Sequence, residues 1–282
     1  MKKITITASD GFHLSALLGM PQNTAQQSII ISSATAIKKE FYLNFAQFLV
    51  KKGYNVLLFD YRGIGESAHK DIKRAGSFLH EWGTLDMNAA LNFMVHEMGF
   101  TDIVWLGHSI GGQLFGFLED QQHIKKVISI NAAVGYWRYF PYPMKIFFWF
   151  LWYVLSPILI KVSGYGTMKI LGWGENLPKN AILEWRNWCM NKYYYLPALQ
   201  QQLKTDKFYD FKQPITALYM SDDYIANDIT APLMIQFFPN ASTNVIKLQV
   251  EEYTSEKVGH TNIFRKKFEN TLWNYLITLI EK

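Results

Sequence analysis

Ser109 stands in Gly107-His108-Ser109-Ile110-Gly111, a match to G-x-S-x-G, directly behind the apolar run Ile103-Val104-Trp105-Leu106 and ahead of a helix-compatible run over 113–118. A serine held between a strand and a helix sits on a sharp turn that thrusts its hydroxyl outward as a nucleophile for an acyl carbonyl. Glycines two positions to either side let neighbouring backbone pack on that turn without collision. The turn also aims the amide of Ile110 at a developing oxyanion, with the dipole of the following helix assisting. Such a hydroxyl needs a base, and the base needs a carboxylate to orient it.

A nucleophile of this kind is served in the chain order serine, acid, histidine. Of the seven histidines only His123 and His260 follow Ser109. His123 lies behind the polar run Glu119-Asp120-Gln121-Gln122 and reads as a solvated loop residue, whereas His260 follows the last apolar run in Val258-Gly259-His260. His260 is the expected base. Ser221-Asp222-Asp223 follows the run over 215–220, and two adjacent carboxylates beyond a strand point in different directions. One can meet the imidazole while the other faces solvent or caps the turn; Asp223 is the preferred acid and Asp222 the reserve. Asp228 reads as the cap of a helix that begins near Thr230.

The second oxyanion amide is expected from the loop Ser33-Ala34-Thr35-Ala36. Thr35 is the choice, counted back from Phe41-Tyr42, with Ala34 and Ala36 open. The segment Asp60-Tyr61-Arg62-Gly63-Ile64-Gly65-Glu66-Ser67 lacks the G-x-G-x-x-G of a dinucleotide site. Its glycines suit a tight loop near the site, in which Asp60 and Arg62 satisfy buried backbone or each other. No cluster of His, Cys and Glu has metal-ligand spacing, so neither a metal nor another cofactor is expected.

The elements that must position these residues follow from hydrophobic period. Alternation over 4–7 and 12–18 around Asp10-Gly11 predicts an opening hairpin. Short apolar runs over 28–32, 54–60, 102–107, 127–131, 215–220 and 244–250 predict strands buried on both faces. Helical spacing marks 41–52, closed by Gly53, and 85–98, closed by Gly99, and a last helix is expected over 262–281. This alternation predicts an α/β fold with a mostly parallel sheet covered on both faces. Between Asn131 and Ile215 no buried strand is evident, and residues 136–205, rich in Trp and Tyr, read as a helical cap inserted into a core of residues 1–135 and 206–282.

With 282 residues, 49% hydrophobic and 18% charged, the chain can bury a large core as one domain with an insertion. The lone Cys189 and the absence of a secretory signal pattern fit a reducing, cytoplasmic setting. A net charge of +5 spread in small pairs argues against a nucleic-acid partner and leaves a small-molecule substrate. Residues 146–160 carry no charge, but 15 residues fall short of the roughly 20 that cross a bilayer as a helix. They read as a buried or interfacial helix, and a peripheral membrane contact through the cap stays open.

Taken together, the Ser109 motif, its partners and the D-Y-R-G-x-G-x-S segment from Asp60 to Ser67 resemble the α/β-hydrolase superfamily, in its serine aminopeptidase and monoacylglycerol lipase branch. Gly135-Tyr136-Trp137, Gly164-Tyr165-Gly166, Asn176-Leu177-Pro178 and Glu184-Trp185-Arg186-Asn187-Trp188-Cys189 extend the likeness to a family of bacterial hydrolases, over nearly the whole chain. The resemblance implies an eight-stranded, mostly parallel sheet with an antiparallel second strand, a helical cap and hydrolysis without cofactor. The expected activity is cleavage of a carboxylic ester or thioester with an apolar acyl or aryl group. Peptidase or acyltransferase chemistry on the same residues, and a ligand-binding module without catalysis, are the alternatives.

Overall fold

Each of the apolar runs becomes a strand of one eight-stranded sheet in a computed structural model that describes residues 1–23, 27–204 and 206–282. The strands are β1 (Lys2–Thr7), β2 (His13–Gly19), β3 (Gln27–Ser32), β4 (Tyr54–Phe59), β5 (Ile103–His108), β6 (Ile124–Ile130), β7 (Ile215–Met220) and β8 (Thr243–Leu248), in the order β1-β2-β4-β3-β5-β6-β7-β8. β2 runs antiparallel to β1 and to β4, and every other neighbouring pair is parallel. Parallel pairing requires crossovers, and the helices supply them on both faces.

Both faces are apolar because strand side chains alternate. Ile30, Leu57 and Trp105 point into one core, while Ile29, Val56 and Val104 point into the other. The second core is closed by the helices Leu43–Lys51 and Leu272–Glu281, through residues such as Phe45, Leu49, Trp273 and Leu276. The first core is closed by a continuous helix over 82–97 and by the segment between β6 and β7.

That segment carries the helices Met144–Ser163 and Lys179–Met190, joined by short turns. Its expected end, residue 205, lies outside the described residues.

Two expected helices differ. In place of a helix over 113–118, two tight 3₁₀ turns, Ser109–Gly112 and Leu114–Phe117, meet at Gln113. Gly111, Gly112 and Gly116 explain this: glycine is a poor helix former, and here each admits a close neighbour, such as the Phe208 ring against Gly116. The last helix starts only at Leu272, after turns at Asn262–Phe264 and Lys266–Phe268. Trp273 Nε1 donates to the Ile263 carbonyl at 2.8 Å, a contact that a continuous helix would separate by roughly 15 Å.

Asp60 and Arg62 do not pair with each other. Asp60 accepts the backbone amides of Lys39 and Glu66 and the Lys39 ammonium, while Arg62 bonds Asp86 and Asp10. The acidic trio Glu40, Asp60 and Glu66 converges on Lys39 Nζ, which fills the centre of the cluster.

Candidate functional site

Ser109 leaves β5 with φ of 51°, in the left-handed region that costs an L-residue energy and that marks functional turns. Its two flanking glycines show why the motif needs them. A Cβ on Gly107 would lie 2.2 Å from the Gly111 carbonyl oxygen, and one on Gly111 would lie 2.2 Å from that of Ser32. The turn is thereby pressed against β3.

The hydroxyl so presented meets His260: Nε2 is 3.0 Å from Ser109 Oγ, and Nδ1 is 2.7 Å from Asp223 Oδ2. A carboxylate only accepts, so Nδ1 carries the hydrogen and Nε2 is left to take the serine proton. The Asp223 carboxylate is buried and is fixed by its other oxygen, which accepts the Ile225 amide at 2.8 Å.

Asp222 is half-buried and does not cap its own turn. Its two oxygens accept the amides of Val258 and Gly259, both at 2.8 Å, and so hold the loop that carries His260. Asp228 does not cap the helix Thr230–Ile235 either; it accepts from the Tyr219 hydroxyl and Lys247. Asn227 Oδ1 accepts the amides of Ile229 and Thr230 in its place. An Asx side chain one residue earlier reaches that first turn better.

On the opposite side of Ser109, the Ala34 amide donates to the Tyr42 hydroxyl at 2.9 Å, which removes it as an oxyanion donor. Ala36 is fully buried, and its carbonyl accepts the Glu175 amide from the inserted segment. Thr35 lines the cavity beside Ser109, and its amide has no acceptor among the described residues. The Ile110 amide sits in the tight 3₁₀ turn after Ser109, where first-turn donors lack partners, although no long helix stands behind it to add a dipole.

His108, a variable position of the motif, connects these parts. Its Nε2 lies 2.8 Å from the His260 carbonyl and its Nδ1 2.7 Å from the Tyr42 hydroxyl. Since the carbonyl can only accept, Nε2 bears the hydrogen, and Nδ1 accepts from Tyr42. Asn131 Nδ2 donates to the same His260 carbonyl at 2.8 Å. The Thr35 loop, the serine turn and the histidine loop are thus tied through one buried imidazole.

Burial, with the nearby His260 adding to it, pushes the His108 pKa down to about 3. The unfolded chain therefore takes up a proton that the folded chain refuses. The stability this contact provides is intact above pH 6.5 and drains away as the pH falls toward 3. Wild type should lose on the order of 2 kcal/mol from this group between pH 6.5 and 5. His108→Gln should be less stable at pH 7 but flatter over that range in urea unfolding; parallel slopes would remove the imidazole as the cause.

Above Ser109 and His260 lies a cavity of about 500 Å³. Its walls are Phe140, Phe148, Trp152, Trp173, Trp185 and Tyr194 from the inserted segment and Phe41, Tyr224 and Ile225 from the core. Among the described lining residues there is no Asp or Glu, and Lys257 and Arg265 stand at its edge. The arrangement can activate a hydroxyl and accommodate an apolar group beside it.

Residues 23–245 match the family model described as "Serine aminopeptidase, S33". The chain belongs to that family of α/β hydrolases. The matched stretch holds Ser109 and Asp223, and His260 lies beyond it. No curated protein sequence matches the chain. Among solved structures, an esterase from Exiguobacterium antarcticum is similar over 100% of both chains, with 15% identity and a TM-score of 0.62. An esterase from Pyrococcus furiosus is similar over 99% of this chain and 90% of its own, with 16% identity and a TM-score of 0.60. A bromoperoxidase from Bacillus anthracis covers 100% of both chains at 14% identity and a TM-score of 0.59. These likenesses share the α/β-hydrolase fold, and the site residues of this hydrolase-family member must speak for its chemistry.

Proposed function

We propose that this α/β hydrolase is a serine hydrolase that cleaves a carboxylic ester or thioester bearing an apolar acyl or aryl group. The observation that carries the reading is the His260 imidazole, hydrogen-bonded at once to Ser109 Oγ and Asp223 Oδ2 on the floor of an aromatic cavity. Ser109 attacks the carbonyl carbon while His260 Nε2 takes its proton, and the charged tetrahedral oxygen is held by the amides of Ile110 and Thr35. Collapse expels the alcohol or thiol, which leaves with the proton from His260. Water, deprotonated by the same nitrogen, then releases the acid and restores Ser109.

Residues 136–205 act in this reading as a cap that keeps the acyl site dry. An aminopeptidase reading would need an anionic group to hold the substrate's free ammonium. The lining offers cations there instead, Lys257 and Arg265, which favours an uncharged or anionic substrate.

Intact-mass spectrometry after treatment with a fluorophosphonate tests the reading. Wild type should gain one adduct mass, with the label on Ser109, while Ser109→Ala gains none and His260→Ala labels far more slowly. An unlabelled but folded wild type would overturn it.

A further inference from the structure

Both long faces of the Met144–Ser163 helix are apolar. Phe148, Trp152, Ser156 and Ile160 recur every fourth residue and are buried, with Phe148 and Trp152 on the wall of the Ser109 cavity. Two residues out of phase, Ile146, Phe150, Ile158 and Val162 turn outward. Ile146, Ile158 and Val162 are 58%, 55% and 82% exposed. The wide turn at Leu151–Leu155 helps keep both stripes near a period of four. Trp149 and Tyr153, stacked with ring centroids 6.1 Å apart, flank the outer stripe and are also exposed.

A surface helix of a water-soluble protein turns charged and polar residues to solvent. Here no charged residue stands between Lys145 and Lys161, and only 28% of the most apolar stretch is buried. Of the two expected settings, buried or interfacial, the inner face takes the first and the outer face is left uncovered by the protein.

Charge follows the same part of the chain. Residues 136–205 hold eight Lys and Arg against two Glu, while the remainder holds 20 basic against 21 acidic residues, so all of the net charge of +5 resides in the insertion. Lys145 opens the helix beside the exposed Tyr142 ring, 5.1 Å away, and the exposed Lys161 stands in its last turn. Arg138 lies 5.1 Å over Trp137, whose ring meets that of Tyr153 at 6.0 Å. An apolar stripe edged by Trp and Tyr rings and by cations matches the layered chemistry of a bilayer surface: acyl chains, headgroup zone and phosphates. Against a second copy of the chain, the same face would set its excess positive charge against itself.

We propose that this outer face docks on an anionic lipid bilayer, lying in the headgroup zone, since the helix's opposite face is committed to the protein. The docking does not depend on the reaction assigned to Ser109.

The full chain sedimented with sucrose-loaded vesicles of phosphatidylglycerol and phosphatidylcholine tests it. Binding should exceed that to pure phosphatidylcholine and weaken partly with salt. Ile146→Gln/Phe150→Gln/Ile158→Gln should weaken partition by at least about tenfold, and Arg138→Glu/Lys161→Glu should weaken it about tenfold or more and remove most of its salt dependence. Both variants should melt as wild type does and keep its hydrolysis of a water-soluble ester. Absence of wild-type binding, undiminished binding by the triple variant, or a soluble dimer that the triple variant dissolves would each overturn the proposal.

Discussion

Hydrolysis of an ester by the Asp223→Asn variant should fall by about 10⁴-fold in kcat, with little change in thermal stability, while Asp222→Asn should keep most of its kcat and lose stability. The two carboxylates are neighbours in sequence but do different work. Asp223 accepts from His260 Nδ1 at 2.7 Å and so leaves Nε2 bare toward Ser109. An amide at this position can present its NH₂ to Nδ1, which then becomes the acceptor, and Nε2 carries the hydrogen and can no longer take the serine proton. The fold remains, and a fixed tautomer is wrong. Asp222 touches no reacting group; it accepts two backbone amides, of Val258 and Gly259. Its conversion to Asn leaves one of them without an acceptor, a cost of about 1–3 kcal/mol. Steady-state kinetics beside urea unfolding separates the two effects. If Asp222→Asn suffered the larger kcat loss, the acid would be misassigned.

What made Ser109 and His260 legible in the sequence was position relative to strands, because a strand end fixes where a side chain can reach. Gly107 and Gly111 are also readable, since the close approach of Gly111 to the Ser32 carbonyl tolerates no Cβ. The sheet itself was legible for the same reason: β4 and β5 are buried at every position, and such runs have no other use in a chain of this composition. The structure's own contributions are contacts between distant loops. Nothing in the spacing of Ala34, Tyr42 and His108 announces that one hydroxyl and one imidazole tie them to the His260 carbonyl. The two tight turns after Ser109 are not legible because the apolar spacing over 113–118 is helical, while Gly111, Gly112 and Gly116 admit close neighbours that only the fold supplies. The outer stripe of the Met144–Ser163 helix was hidden by its inner one, since composition reports apolar content without saying which face is covered.

The site's outer parts share a dependence on one loop. Residues 33–40 carry Thr35 beside Ser109 and end at Lys39 and Glu40, and the inserted segment reaches the same loop when Glu175 donates to the Ala36 carbonyl. Whatever fixes that loop fixes both the amide proposed as the second oxyanion donor and one edge of the cavity. Only backbone is involved at Thr35, so its side chain can vary, whereas the residue that anchors the loop cannot.

That anchor predicts the largest stability effect: Lys39→Met should destabilise the fold by about 3–5 kcal/mol, far more than Lys3→Met at the same cluster's rim. The Lys39 ammonium is wholly buried and meets Asp60, Glu66 and Glu40 at 2.7, 2.8 and 2.9 Å, one oxygen for each of its three hydrogens. Burial opposes its charge, but these three carboxylates hold its pKa above the ordinary lysine value. Without the cation, Asp60 keeps only the amides of Lys39 and Glu66 as donors, inside a site that excludes water. Burial already pushes the Asp60 carboxyl up, with Lys39 the main opposing influence, so its pKa in the variant should climb further. A folded-state pKa raised above the unfolded 3.8 means that the folded chain binds the extra proton, so stability of Lys39→Met should fall as the pH rises from 4 toward that raised value. Adding Asp60→Asn should recover part of the loss and flatten the pH dependence, because the neutral amide no longer needs a counter-charge. Urea unfolding of both variants at pH 5 and pH 8 gives the comparison. A single-variant loss below about 1 kcal/mol, in the range of an exposed ion pair, would show that water reaches Asp60 and that the loop is held by something else.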